Sequence, residues 1–252
     1  MNVVKKISVY AHRGSRGTHP ENTMAAFIEA ERVGADGIEF DVHLTKDGEL
    51  VIIHDETLNR TTNLTGFVKD YTAVELRKAD AGVKFSPAFS GEGLPFLSDV
   101  FEWALANKLI MNVELKNDKL NYPAIEQKVI SLIRHYHLES RIVLSSFNHS
   151  SIAEVKKLAP DIERALLFEG LPDDIINILS EKQEAGFHPD APSLTKELNK
   201  QAQELGYVVR PWVANTKEGI LRMAEFGVDV IMTDFPEAAI GILQTKQDLE
   251  SI

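Results

Sequence analysis

The sequence reads AHRGSRGTHPENT at residues 11–23 and GIEFDVHLTKDGELVIIHD at residues 37–55, and these two stretches decide the fold. The alternation after Gly37 places Glu39, Asp41 and His43 on one side of a strand and apolar residues on the other. If helices cover the apolar side, the polar side must face a polar cavity.

A tight hairpin follows this strand. Asp47-Gly48 between two apolar runs is a strong signal for a short turn, so residues 50–54 are predicted to return antiparallel to the first strand. In that register His54 lies roughly opposite Phe40, between Glu39 and Asp41 in height. The returning strand therefore cannot be an ordinary member of a parallel barrel.

The rest of the chain alternates between strand and helix patterns. The first strand is predicted at residues 7–11, and a helix at 24–33 is capped by Asn22 or Thr23. Residues 56–96 are predicted to be an inserted cap segment with a short helix near 72–78, because insertions after a site strand often form a wall or lid of a pocket. Further strands are predicted at 109–116, 141–146, 164–168, 186–188, 207–213 and 228–232, and helices at 98–108, 122–136, 149–158, 172–184, 195–205, 217–226 and from 236.

Eight strands separated mostly by helices predict a parallel sheet, and the leading architecture is a closed TIM-type (β/α)8 barrel. The length of 252 residues fits one such barrel, which needs roughly 250 residues. Residues 1–252 are accordingly expected to form a single domain. A doubly wound open sheet is the alternative, but it would leave the polar strand faces without a common centre.

Composition excludes several classes of protein. A formal net charge of −11 argues against a general nucleic-acid-binding surface. With no cysteine there can be no disulfide, thiolate metal site or cysteine nucleophile. No apolar run approaches the roughly 20 residues of a membrane span, and the N-terminal apolar run is too short for a signal peptide. The expectation is a cytoplasmic protein without stable membrane insertion, either a monomer or a homodimer.

Three carboxylates are predicted to meet at the carboxyl ends of the barrel strands. Glu39 and Asp41 lie late in the second strand, and Glu114 ends the third. Buried like charges repel one another unless a cation is bound. An oxygen-rich site of this kind suits one divalent ion, Ca²⁺ or Mg²⁺.

Two histidines flank this cluster. His12 ends the first strand and His54 ends the hairpin, and a pair of imidazoles suits general acid and base catalysis. The residue pattern does not decide which ring starts as the base; the working assignment is His12 as base and His54 as acid. His43, one side-chain step beyond Asp41, is a further candidate metal ligand, but it is predicted to sit above the site.

Further polar residues point to an anionic substrate. Arg13 offers a planar fork of donors for phosphate oxygens, and Lys116 adds a second positive charge. Trp212 is predicted to pack a substrate group at the rim, although it could instead cover the barrel. Glu21, a possible ion-pair partner of Arg13, and Asn22 are predicted to support the site.

The motifs together resemble the glycerophosphodiester phosphodiesterase family, of the bacterial cytoplasmic type. The resemblance is carried by the motifs HRG, PENT, EFDV, TKDG, HD, VELK, SSF, WVAN and GVDVIMTDFP, which begin at residues 12, 20, 39, 45, 54, 113, 145, 212 and 227. It covers nearly the whole chain. Val213 and Phe40 depart from the commonest family residues, and neither is a predicted ligand.

The resemblance implies a TIM-type barrel with a small insertion after the histidine of the HD motif. It also implies a divalent metal on the positions of Glu39, Asp41 and Glu114, and an acid–base pair at His12 and His54. The implied reaction converts a small-molecule glycerophosphodiester into sn-glycerol 3-phosphate and an alcohol such as choline, ethanolamine or glycerol.

Two other functions fit parts of the pattern. A lysophospholipase D-like hydrolase would use the same polar residues on lipid phosphodiesters, and apolar rim residues such as Phe85, Phe89 and Phe96 would mark it. A non-catalytic barrel that binds anionic metabolites is the alternative from a different class, but such a binder needs no acid–base pair. An isomerase is weaker still, because no glycine-rich phosphate loop occurs near Asp234.

Overall fold

The computed structural model describes residues 6–250. The strands are β1 (Ser8–His12), β2 (Gly37–Leu44), β3 (Leu50–Ile52), β4 (Ile110–Leu115), β5 (Ile142–Ser146), β6 (Glu163–Phe168), β7 (Gly186–Pro189), β8 (Val208–Val209) and β9 (Val230–Thr233). The helices are α1 (Met24–Arg32), α2 (Ala73–Leu76), α3 (Leu97–Ala104), α4 (Ile125–Tyr136), α5 (His149–Leu158), α6 (Ile175–Lys182), α7 (Lys196–Glu204), α8 (Lys217–Phe226) and α9 (Pro236–Glu250).

The eight parallel strands run around a barrel in the order β8-β7-β6-β5-β4-β2-β1-β9. Backbone bonds between the chain after β8 and the region of β9 close the ring: the nitrogens of Asp229 and Met232 donate to the carbonyls of Val209 and Pro211 at 3.1 and 3.2 Å, and Ala214 N donates to the Met232 carbonyl at 2.9 Å. The prediction of a TIM-type barrel over an open sheet is confirmed.

Strand β2 shows how the sequence pattern becomes a site. All eight of its residues are buried. Ile38 and Phe40 pack outward into the core beneath the helices, so Glu39 and Asp41 point into the barrel. The polar face of this strand therefore meets other polar strand faces and not solvent, as its alternation predicted.

The hairpin has the predicted register. Strand β3 pairs antiparallel with β2, with Val42 opposite Ile52. Beyond the last ladder pair, Ile53 N donates to the Asp41 carbonyl at 3.1 Å. Continuing that register places His54 at the level of Phe40, although the strand itself ends at Ile52, two residues earlier than predicted.

Residues 56–96 build a small hydrophobic cluster of their own against the outer edge of the hairpin. Val51 and Ile53 of the hairpin pack there with Leu58 and Leu76. The short helix α2 lies within the range predicted for it, and a capping box with Thr72 starts it. The segment is thus packed onto β3 through apolar side chains.

Most element boundaries differ from the prediction by a few residues, and three of the differences have a clear physical reason. Strand β8 covers two residues, because Pro211 offers no N–H for a longer ladder. Helix α3 begins at Leu97, with Phe96 at its N-cap. Asp99, the third residue of the helix, accepts a hydrogen bond of 2.8 Å from Phe96 N. The terminal helix α9, which the sequence predicts to be short, extends from Pro236 to Glu250, and its residues Ala239 and Leu243 pack in the core.

Among the helices within residues 6–250, none combines the length and the apolarity needed to cross a membrane.

Candidate active site

A cavity of about 370 Å³ opens at the carboxyl ends of the barrel strands. Its walls include seven of the residues that the sequence predicted for the site: His12, Arg13, Glu39, His54, Glu114, Lys116 and Trp212. Asp41 is not among the lining residues; its side chain is buried, with 1% exposed. The predicted residues therefore come together although they are spread over 200 residues of chain.

Strand register sets the heights of the carboxylates. Across β1 and β2, His12 pairs with Glu39, and across β2 and β4, Asp41 pairs with Glu114. Paired residues on neighbouring parallel strands point to the same side of the sheet. Glu39 and Asp41 therefore form successive layers inside the barrel, and Glu114 joins the upper layer.

These three carboxylates form one compact cluster. One oxygen from each of Glu39, Asp41 and Glu114 lies within 4.8 Å of the others, and all three side chains are buried. Asp41 Oδ1 has no hydrogen-bond partner. A buried acceptor without a donor beside two further carboxylates is the arrangement that a hard divalent cation satisfies, so the residues fit a metal site.

Burial and the neighbouring charges shift the pKa values of the three carboxylates. Burial, together with the charges of Asp41 and Glu114, raises the pKa of Glu39 well above its usual range. Burial likewise raises the pKa of Glu114. The pKa of Asp41 moves the other way, because Lys116 and Arg13 outweigh its burial and hold it far below the usual range. A cation bound beside Glu39 and Glu114 would oppose both of the upward shifts.

Two cations border the cluster. Lys116 Nζ donates to Glu114 Oε1 at 2.8 Å and lies 3.7 Å from Asp41 Oδ1; the two carboxylates raise its pKa despite burial, so it stays charged. Arg13 Nε lies 3.6 Å from Asp41 Oδ2, and its Nη1 donates to Glu21 at 3.0 Å. Both cations line the cavity and can meet an anionic substrate.

Each of the two predicted histidines is held by an aspartate that the sequence-based assignment missed. His12 Nδ1 donates to Asp234 Oδ1 at 2.7 Å, and His54 Nδ1 donates to Asp55 Oδ1 at the same distance. A proton on Nδ1 leaves Nε2 of each ring available towards the cavity. Asp55 follows His54 directly in the sequence, so its role could have been predicted. No local sequence pattern relates Asp234 to His12.

The tautomer of His12 is fixed by a short chain of polar residues. Asp234 also accepts a bond from Asn215 Nδ2 at 2.8 Å, and Asn215 Oδ1 in turn accepts the Asp234 backbone N–H at 2.8 Å. Burial lowers the pKa of His12 more strongly than the Asp234 hydrogen bond raises it. The ring is therefore neutral near pH 7 and can accept a proton at Nε2.

Asp234→Asn is expected to lower kcat by about 100-fold, because the amide can present its N–H to His12 and turn the ring to the wrong tautomer. Steady-state hydrolysis assays at saturating substrate and metal measure the effect. Asp248→Asn, at an exposed carboxylate on helix α9, is the control and should stay within threefold of the unmodified protein. An Asp234→Asn variant equal to that control would contradict the role of Asp234.

The remaining predicted residues take supporting places. Asn22 Nδ2 donates to Asp41 Oδ2 at 2.8 Å. Glu21 Oε1 accepts the bond from Arg13 Nη1. Trp212 lines the cavity, with its indole N–H donating to the His188 carbonyl at 3.1 Å and its ring 5.7 Å from that of Phe147 in an edge-on contact. The tryptophan is thus fixed at the rim.

His43 lies outside the carboxylate cluster. It is fully buried, and its two ring nitrogens face the Tyr122 hydroxyl at 3.0 Å and the His54 carbonyl at 3.1 Å. Because both nitrogens have partners, His43 buttresses the backbone of His54.

Asn112 is a further residue of the cavity wall to which the sequence assigned no role. It pairs with Glu39 across the strands, is 1% exposed and donates to Ser145 Oγ at 3.0 Å. The inward alternation of β4 contained the signal, because Asn112 shares its face with Glu114.

The aromatic residues proposed for a lipid-binding rim are elsewhere. Phe96 is 3% exposed inside the cluster of the inserted segment, beneath the Arg77 guanidinium. Phe85 and Phe89 pack against each other, with ring centroids 5.6 Å apart, and do not line the cavity. The prediction that these residues mark the rim is wrong: Phe96 is buried in the core of the inserted segment, whereas Phe85 is 45% exposed but lies outside both that core and the cavity wall.

A closed parallel barrel with a polar cavity at the carboxyl ends of its strands is the architecture of α/β-barrel enzymes. The chain belongs to the Glycerophosphoryl diester phosphodiesterase family, whose sequence model matches residues 12–238. The resemblance seen in the sequence is therefore confirmed, as is the assignment of the protein as a glycerophosphodiester phosphodiesterase.

Relatives of known name agree. The chain is 44% identical over 239 residues to a glycerophosphodiester phosphodiesterase of Caldanaerobacter subterraneus subsp. tengcongensis, covering 95% of this chain and 98% of the relative. It is 44% identical over 240 residues to one of Bacillus altitudinis, covering 93% and 97%. A phosphodiesterase structure from Oleispira antarctica, in complex with the product sn-glycerol-3-phosphate, matches with a TM-score of 0.84 at 28% identity over 94% of this chain and 96% of that one.

Proposed function

We propose that the protein hydrolyses small glycerophosphodiesters, such as glycerophosphocholine or glycerophosphoethanolamine, in a metal-dependent reaction with two histidines as general acid and base. The products are sn-glycerol 3-phosphate and the free alcohol. The observation that carries this proposal is that His12 and His54, each bonded to an aspartate, line the same cavity as a cluster of three buried carboxylates.

Glu39, Asp41 and Glu114 would hold the metal, for which Ca²⁺ and Mg²⁺ are the candidates. A bound divalent cation supplies a Lewis acid that lowers the pKa of a coordinated hydroxyl and draws charge from the phosphoryl group. Support comes from the donor set, which is all oxygen, and from Asp41 Oδ1, which no protein donor satisfies.

His12 is proposed as the initial base. Its Nε2 is free while Nδ1–H is bonded to Asp234, and burial lowers the pKa of the ring. Nε2 can therefore accept the proton of the glycerol hydroxyl next to the phosphoester as that oxygen attacks phosphorus. The attack forms a cyclic phosphate, and His12 would later return this proton when water opens that cyclic phosphate.

His54 is proposed as the initial acid. Its Nε2 would donate a proton to the alcohol oxygen as the bond from phosphorus to that oxygen breaks, which leaves a cyclic phosphate. Water then opens the ring with the roles exchanged: His54 takes a proton from water, and His12 gives one to the departing glycerol oxygen. Arg13 and Lys116 would stabilise negative charge on the phosphoryl oxygens throughout.

The substrate alcohol would lie against the outer wall of the cavity. Trp212, Phe147 and Leu167 contribute apolar surface there, and the cavity of about 370 Å³ suits a small diester. A lysolipid chain finds no extended apolar channel in these walls, since Phe85 and Phe89 pack outside them. The geometry therefore favours water-soluble substrates over lysolipids.

A metal-supplemented substrate panel tests the proposed function. Glycerophosphocholine and glycerophosphoethanolamine are expected to release sn-glycerol 3-phosphate with kcat of about 1–10³ s⁻¹. Lysophosphatidylcholine, which would release choline and 1-acyl-sn-glycerol 3-phosphate, is expected to react at least about tenfold more slowly, since one missing apolar contact is worth roughly a factor of ten or more. Coupled oxidation of sn-glycerol 3-phosphate measures the small diesters, and choline release compares glycerophosphocholine with the lysolipid. A panel with Ca²⁺ and Mg²⁺ that yields no sn-glycerol 3-phosphate from any diester would refute the proposal, and faster lysolipid turnover would favour the lysophospholipase D-like alternative.

A further inference from the structure

We propose that Arg60, in the inserted segment, is a positioning residue that holds both the candidate acid His54 and the phosphate-facing Arg13, acting through one carboxylate on each side. This inference rests on the function proposed above. It gives residues 56–96 a role inside the reaction although none of their side chains lines the cavity.

The guanidinium of Arg60 makes four hydrogen bonds to two carboxylates. Nε and Nη2 donate to Asp55 Oδ2 and Oδ1 at 2.8 and 2.9 Å, and Nη1 and Nη2 donate to Glu21 Oε2 and Oε1 at 2.8 Å each. A planar fork can satisfy two carboxylates in this way, whereas an ammonium group cannot. Both carboxylates are therefore fixed in position and in orientation.

Each carboxylate has its other contact in the candidate active site. Asp55 Oδ1 accepts the bond from His54 Nδ1 at 2.7 Å, and Glu21 Oε1 accepts the bond from Arg13 Nη1 at 3.0 Å. A carboxylate orients its histidine only as well as the carboxylate itself is held. Arg60 is thus linked through Asp55 to His54, the proposed proton donor, and through Glu21 to Arg13, which would donate to the phosphate.

The charges support the same arrangement. Burial alone would raise the pKa of Glu21, but hydrogen bonds from Arg60 and the nearby charges of Arg13 and Arg16 lower it to about 2. Glu21 is therefore an anion at every working pH. Without Arg60 it would be left with Arg13 and with Arg16, whose Nη2 lies 3.6 Å away, and Arg13 could be drawn away from the cavity.

The inserted segment keeps Arg60 in place. Leu58 and Thr62, on either side of it, are both fully buried. Thr62 Oγ1 donates to the Leu58 carbonyl at 2.9 Å, and Leu58 N donates to the Gly66 carbonyl at 2.9 Å. The backbone at position 60 is thus anchored on both sides, which limits where the guanidinium can lie.

Arg77 offers a matched control for a merely structural arginine. It lies in the same segment, donates through Nη1 and Nη2 to Asp99 at 2.9 and 3.0 Å, and is comparably exposed, 52% against 45% for the side chain of Arg60. Asp99, however, contacts none of the candidate site residues. Loss of Arg77 removes one bidentate ion pair and loss of Arg60 removes two, but only loss of Arg60 disturbs His54 and Arg13.

The test compares Arg60→Gln with Arg77→Gln on two substrates. The first is glycerophosphoethanolamine, and the second is the p-nitrophenyl ester of sn-glycerol 3-phosphate, whose leaving group departs without protonation. For Arg60→Gln we expect kcat/KM to fall by about 100-fold on the first substrate and by about tenfold on the second, since a displaced His54 loses part of the roughly 10²-fold that general acid catalysis contributes, and only the first substrate needs that acid. The remaining loss on the second substrate reflects the displaced Arg13. Arg77→Gln should stay within threefold on both.

Equal losses on the two substrates, or a loss no larger than that of Arg77→Gln, would overturn the role of Arg60. If Arg60→Gln does not fold, as judged by thermal unfolding, Arg60→Lys is measured in its place; it keeps the charge but loses the fork, and the same substrate difference is expected. An unmodified protein that releases no sn-glycerol 3-phosphate would refute the proposed function itself, whereas an active protein with an unaffected Arg60→Gln variant refutes only this inference.

Discussion

His12→Ala and His54→Ala are each expected to lower kcat for glycerophosphocholine by about 10³-fold or more, because general acid and base catalysis contribute up to about 10⁴-fold. The two rings line one cavity, and each is oriented by an aspartate at 2.7 Å. Removing either ring takes away a proton acceptor or donor that no neighbouring side chain replaces at that position. Initial rates with saturating Ca²⁺ or Mg²⁺ provide the measurement.

His135→Ala is the matched control for these variants. His135 is exposed on helix α4, with its ring against Tyr136 and away from the cavity, so its loss should leave kcat unchanged within a factor of two. Near-normal turnover by both His12→Ala and His54→Ala would show that the acid–base assignment is wrong. This outcome does not depend on whether the proposed metal site is correct.

Removal of divalent metal is expected to abolish hydrolysis, and Asp41→Asn is expected to lower kcat by about 10³-fold even with added metal. Asp41 is the central carboxylate of the cluster, and its Oδ1 is buried without a protein donor. A bound cation stabilises the transition state by several kcal/mol, so its loss is expected to lower kcat by about 10³-fold. Assays after chelation and after return of Ca²⁺ or Mg²⁺ measure the effect. Full activity after exhaustive chelation would contradict the proposed metal dependence.

Thermal unfolding gives a readout of the same site that does not depend on activity. Added Ca²⁺ or Mg²⁺ at about 100 times the dissociation constant should stabilise the protein by about 2.7 kcal/mol. Glu39→Gln should lose this metal-induced shift, and in the metal-free state it should unfold at a higher temperature than the unmodified protein, because one of three repelling buried charges is gone. Glu204→Gln, at an exposed carboxylate on helix α7, should behave as the unmodified protein does. A metal-induced shift retained in Glu39→Gln would contradict its assignment as a ligand.

Local pattern alone determined the barrel and most of the candidate site. Alternation along β2 and β4 set the direction of Glu39, Asp41 and Glu114, because side chains on a strand point to opposite faces in turn. The two-residue turn at Asp47-Gly48 set the hairpin register that carries His54 back to their level. These are short-range properties, and a parallel sheet then brings the strand ends to one rim.

Only the tertiary structure decided what holds those residues. Asp234 lies 222 positions from His12 along the chain, and Arg60 lies 39 positions from Glu21; no local periodicity relates residues so far apart. Their contacts depend on closure of the barrel between β8 and β9 and on how residues 56–96 pack. The same packing took Phe96 into a core where its sequence position had suggested a rim, because burial of an aromatic ring is decided by the neighbours that reach it and not by its place in the chain.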